Sequence, residues 1–160
     1  MTGSGLSWKL VERSNAATGD SEVWMARARK ILTRGEVTST LSNRGYDELL
    51  TVIAMDGVSA VGSRARAAGG TGVPHVQLAT SAATSLVFAV GNDADRAMAR
   101  TRPSGWVPLD QWSDARASNT FWSEYTNQPT GRSGSTVAVT AGPVTDRWNL
   151  AAVELENSGD

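Results

Sequence analysis

Short runs rich in Val, Leu, Ile, Thr and Trp recur along the chain, each cut off by a cluster of Gly, Ser, Asn, Asp or Pro. That punctuation constrains the fold more than any other feature. β-branched and aromatic side chains suit a pleated, half-buried surface, and turn residues at short intervals leave no room for long helices. The pattern predicts an all-β chain, an antiparallel β-sandwich of jelly-roll or Ig-like type with about nine or ten strands and little or no helix. Strands are expected at Ser7–Arg13, Ser21–Ala28, Glu36–Leu41, Glu48–Met55, His75–Ala79, Ser85–Gly91, Gly105–Gln111, Thr120–Thr126, Ser135–Thr140 and Arg147–Leu155. The last follows a Gly142-Pro143 turn and reads, from Asp146 onward, as the closing strand of a single domain covering residues 1–160. Between them, Gly57–Pro74 is so rich in Gly, Ala and Ser that it is expected to be a long mobile loop.

Period-two alternation assigns faces, because successive strand side chains point to opposite sides. Leu86, Phe88 and Val90 form one apolar row, and Val137 with Val139 another. Between Thr120 and Thr126, Phe121 and Tyr125 fall on one side and Trp122 on the other. Trp8, Trp24 and Trp148 lie in alternating strands and are expected in the core.

Composition removes several classes of function. No cysteine is present, so there is no disulfide framework, thiolate metal site or cysteine nucleophile. Fifteen Lys and Arg residues against sixteen Asp and Glu give a net charge of −1, unlike the basic surplus of a nucleic-acid-binding domain. The longest apolar run, Leu86–Val90, is far short of the roughly 20 residues that span a bilayer. The residues from Met1 to Trp8 carry no basic region followed by an apolar core, so no signal peptide is expected in this stretch. No nucleic-acid partner, no membrane insertion and no cofactor are expected.

The segments Gly5–Asn15, Ser21–Trp24, Gly91–Asp93, Asn119–Trp122 and Asp146–Glu154 together resemble a bacterial extracellular β-sandwich module of unassigned function, found in large secreted proteins of actinobacteria and related groups. The preference for arginine over lysine, thirteen to two, fits a GC-rich bacterial or bacteriophage genome. The resemblance implies an extracellular or virion-surface setting and carries no catalytic residue with it. It departs in two places. Similar modules begin with one or two strands upstream of Gly5-Leu-Ser-Trp8, which implies an open sheet edge here, available to another chain. Ala94 also stands where an aromatic is usual, which weakens a stacking platform there.

Chemistry-bearing candidates are few. His75, the single histidine, has no nucleophile elbow beside it and is expected to be a strand residue. Asn92, Asp93 and Asp95 are weak calcium candidates: hard oxygen ligands, but short of the six to eight such an ion takes and followed by Arg96 and Arg100. Paired carboxylates for glycoside hydrolysis could be drawn from Asp93, Asp95, Asp110, Asp114 and Glu124, though no spacing argues for a particular pair. Gly131–Thr136 lacks the Gly-Lys-Ser/Thr ending of a phosphate loop and reads as a turn. Trp106, Trp112, Trp122 and Tyr125 gather in the later part of the chain near Asp110 and Gln111, an aromatic set able to stack on sugar rings or anchor a protein partner. The expectation is a non-catalytic structural or display module at an exposed surface, such as a bacteriophage capsid or tail decoration protein, joined to a partner or to itself through an open edge. A carbohydrate-binding accessory module, recognising surface glycans, is the alternative.

Overall fold

A computed structural model describes residues 1–143 and 147–158. The chain is all-β and antiparallel, with no helix and eleven strands among the described residues. They are β1 (Thr2–Gly3), β2 (Lys9–Ser14), β3 (Ser21–Met25), β4 (Val37–Thr38), β5 (Val58–Gly69), β6 (His75–Ala79), β7 (Leu86–Asp93), β8 (Trp106–Asp114), β9 (Asn119–Thr126), β10 (Thr136–Thr140) and β11 (Trp148–Asn157). A central five-stranded sheet runs in the order β5-β11-β7-β9-β8, and three two-stranded ribbons, β2-β3, β6-β10 and β1-β4, complete the pairing.

Strand β11 explains why the sheet is covered on both sides. Its residues Trp148 to Glu154 are all buried, on both faces of the pleat. One face, which we call inner, carries Trp148, Leu150 and Ala152 beside Val87, Ala89 and Trp122; β6 and β10 pack over it with Val76, Leu78 and Val139. The outer face carries Asn149, Ala151 and Val153 beside Phe88 and Val90, and the β2-β3 hairpin crosses part of it. A buried polar ladder fastens that hairpin: Ser21 Oγ donates to Asn92 Oδ1 at 3.1 Å, and Asn149 Nδ2 donates to the carbonyls of Ala17 and Thr18 at 3.2 and 3.1 Å. Gly19, at φ 94°, passes so close that an added Cβ would meet Asn92 Nδ2 at 2.1 Å.

Eight of the ten expected strands correspond to strands of the structure, including Trp148–Asn157 at the end; Asp146 lies outside the described residues. Four expectations need correction. The expected loop Gly57–Pro74 contains β5, at twelve residues the longest strand. Its small side chains are those of a strand beside bulky neighbours: Ala67 and Gly69 pair with Leu150 and Trp148, and a Cβ on Gly69 would lie 2.9 Å from the Trp148 ring. The expected strand Glu36–Leu41 shrinks to β4, and Glu48–Met55 forms no strand at all. Of the three tryptophans expected in the core only Trp148 is buried, at 6 % exposed; Trp8 and Trp24 are half-buried.

Candidate functional site

The segment Leu49-Leu-Thr-Val-Ile-Ala-Met55 has the composition of a buried strand, yet none of its backbone groups pairs with another backbone group among the described residues. A hydrogen bond between hydroxyls, Thr51 Oγ1 and Ser123 Oγ, 3.1 Å apart, moors it to β9 on the outer face. Leu50, Val52, Ile53 and Met55 remain 37–53 % exposed. Behind the segment lies a cavity of about 710 Å3, lined by Trp8 and Trp24 from the hairpin side and by Phe88, Phe121, Val153 and Leu155 of the sheet. Bare N–H and C=O groups on an apolar, β-prone stretch form a template on which another strand can pair.

The aromatic set expected as a platform is divided between the two faces. Trp122 is 2 % exposed in the inner core and Trp106 packs against that core, so neither shares a surface with the others. Trp112 and Tyr125 lie on the outer face: Trp112 stacks on Phe121 at 5.7 Å between ring centroids, and Tyr125 on Phe88 at 5.4 Å. Cross-strand register decides this division, since Gln111 pairs with Trp122 and Trp112 with Phe121.

The calcium candidates are committed to other partners. Asn92 holds the hairpin ladder. Asp93 is fully buried, accepting from the backbone N–H groups of Asp95 and Arg96 and pairing with Arg100 Nη2. Asp95 is bonded by Arg147, whose guanidinium and backbone N–H hold its carboxyl below the usual range. Among the described residues no cluster of three or more His, Asp or Glu side chains could hold a metal. His75 is exposed, with Nδ1 3.4 Å from Thr140 Oγ1. Of the candidate carboxylates, Asp110 is exposed and Asp114 half-buried at the edge strand β8, while Asp93 and Glu124 are enclosed in the inner layer.

That inner layer holds an arrangement with no sequence motif. Beyond β7 the chain returns across the inner face, Thr101 bridging to Gly142, and sends Arg100 and Arg102 inward. The Arg100 guanidinium lies 5.0 Å from the centre of the Trp122 ring. Arg102 Nε stands 2.8 Å from Glu124 Oε2, a contact of charges without hydrogen-bond alignment, and neither carboxylate oxygen of Glu124 has a hydrogen-bond partner. Burial therefore dominates and pushes the Glu124 carboxyl up to about 7, partly offset by Arg102. Glu154 is the opposite case: burial would raise it, but the N–H groups of Ser63, Ser81 and Ala82 and the Ser81 hydroxyl all donate to it, holding it at about 2.

No family model, no curated protein and no solved structure matches this chain. No helix among the described residues is long and apolar enough to cross a membrane.

Proposed function

We propose that this chain is a non-catalytic structural module displayed at an exposed surface, of the kind that decorates a bacteriophage capsid or tail, and that it assembles by accepting an added strand at Leu49–Met55. One observation carries the reading: seven residues of strand-like composition run beside an apolar cavity with their backbone groups unpaired and their side chains half-exposed. Pairing there would satisfy backbone donors and acceptors and remove apolar surface from water together, which is how strand addition gains affinity. Amide hydrogen exchange tests it. In the dilute chain, amides of 49–55 should exchange near the unprotected rate, and in the concentrated, assembled protein they should slow by at least tenfold. Slow exchange of these amides in a dilute monomer would refute an acceptor edge.

The carbohydrate-binding alternative is favoured by a different observation, the outer-face row of Trp112, Phe121 and Tyr125 with Trp112 37 % exposed. Stacking on a sugar ring requires such an accessible aromatic. A glycan array probed with the wild-type chain and with Trp112→Ala decides it: binding lost in the variant supports this reading, and no binding to cell-wall or capsular sugars removes it.

A further inference from the structure

The acceptor segment is flanked by charge in a pattern that fits itself. Asp47 and Glu48 precede Leu49–Met55 and Asp56 follows it. Cations lie beside one end: Arg27 donates through Nη2 to the Ser59 carbonyl at 2.6 Å, three residues past Asp56, and Arg29, Lys30 and Arg34 follow it in a stretch, residues 27–36, that is exposed throughout. Four of the fifteen Lys and Arg residues and none of the sixteen acids fall within residues 27–34. The end of the segment near Asp56 thus has Arg27 beside it, at the start of a run rich in cations, whereas Asp47 and Glu48 lead into its beginning.

Building on the acceptor-edge reading, we propose that the strand received at Leu49–Met55 is the same segment of a second copy of this chain, paired antiparallel about a two-fold axis through Val52. A two-fold contact needs a self-complementary patch, and acids at one end of this segment with cations beside the other supply one in charge. In this register Leu49 lies opposite Met55 of the second copy, Leu50 opposite Ala54, Thr51 opposite Ile53, and Val52 opposite Val52. Asp47 and Glu48 of each copy then reach the Asp56 end of the other. Two acids facing one another there would repel, but Arg27 stands at that same end, and the exposed Arg29 and Lys30 follow it two and three residues along the chain, within reach of the facing acids. A parallel pairing would instead set Asp47 and Glu48 against their own counterparts, at the end away from Arg27.

The absence of native cysteine makes the register directly testable. Antiparallel partners lie about 4.5–5.5 Å apart between Cα atoms, inside the range a disulfide bridges. Val52→Cys places two thiols across the axis. Ala54→Cys places them four residues out of register, roughly 13 Å along the strand, too far to join. On mild oxidation Val52→Cys should give at least tenfold more covalent dimer than Ala54→Cys. The exposed double variant Arg29→Glu/Lys30→Glu, made in the wild-type background, should weaken the dimer at least tenfold in sedimentation equilibrium. Equal cross-linking at both positions, or a dimer indifferent to the charge reversal, overturns the proposed register. A monomer at every concentration whose 49–55 amides exchange fast overturns the second copy as occupant and leaves the acceptor edge in place; a monomer with slow amides overturns both.

Discussion

Replacing Glu124 by Gln tests whether a buried, poorly bonded carboxylate weakens this fold at neutral pH. Glu124 is fully enclosed, touches Arg102 without a hydrogen bond, and has its carboxyl raised from 4.5 to about 7. A folded-state value above the unfolded one means the native chain binds the extra proton between those limits. Its stabilising effect is complete below about pH 4.5 and is lost as pH rises through about 7. Each tenfold difference in proton affinity between the folded and unfolded chain is worth about 1.4 kcal/mol, and part of the loss has already occurred by pH 5, so the wild-type chain should be about 2.5 kcal/mol more stable near pH 5 than near pH 8 from this group alone. For a chain of this length that corresponds to a Tm difference of roughly 5–10 °C. Gln keeps the shape and cannot ionise, so the pH 5 to pH 8 difference should shrink by about that amount whatever constant offset the loss of the Arg102 contact adds. The other shifted acids do not confuse the comparison, Asp95 being lowered by Arg147 in both proteins alike. Asp20, raised to about 6 chiefly by burial and then by Glu22, is 46 % exposed at its side chain and is present in both proteins. Glu154, held at about 2, contributes stability that is lost only as pH falls below about 4.5 toward 2. Urea unfolding followed by tryptophan fluorescence at pH 5, 6, 7 and 8 gives the measurement. A Gln variant that kept the wild-type pH slope would show that Glu124 is not the group responsible.

Glu154→Gln should destabilise the chain at pH 7 by about 2–4 kcal/mol, because an amide cannot accept all the bonds that Ser63, Ser81 and Ala82 donate; a urea midpoint within error of wild type would contradict this. Trp122→Ala should cost about 3–5 kcal/mol and the outer-face Trp112→Ala much less, read as the difference in Tm between the two variants. Gly91→Ala should be severely destabilising, since its Cβ would fall 2.1 Å from the Trp122 ring, and recovery in the double variant Gly91→Ala/Trp122→Phe would confirm that this contact is the cause. Brief trypsin treatment should cut first after Arg29, Lys30 or Arg34, within the continuously exposed stretch 27–36, with first fragments mapped by mass spectrometry; initial cleavage after Arg64 or Arg66 in β5 would argue against that order of stability.

Alternation made much of the fold readable from the residues alone. The split of Phe121 and Tyr125 from Trp122 follows from period two, and the structure keeps Trp122 inside while leaving the other two half-buried. β5 was invisible because its side chains are small, and they are small because Trp148 and Leu150 on the adjacent strand fill the space above them. That reason lies about eighty residues away in sequence. Leu49–Met55 misled in the opposite direction. Its β-branched residues signal a strand correctly as a local preference, but a strand also needs a neighbour, and none of the described strands pairs with it.

An antiparallel all-β chain, without thiol chemistry, without a basic surplus for nucleic acid, and with polar turns at short intervals, is legible in the residues alone. These properties are sums over residues or patterns within one strand. It takes the folded chain to show that Asn92 holds a hairpin, that Asp93 and Asp95 each meet an arginine, that Glu124 is enclosed beside Arg102, and that Leu49–Met55 lies unpaired over a cavity. Each depends on which distant strand becomes a neighbour and in what register. A shift of one residue in that register turns every side chain to the opposite face.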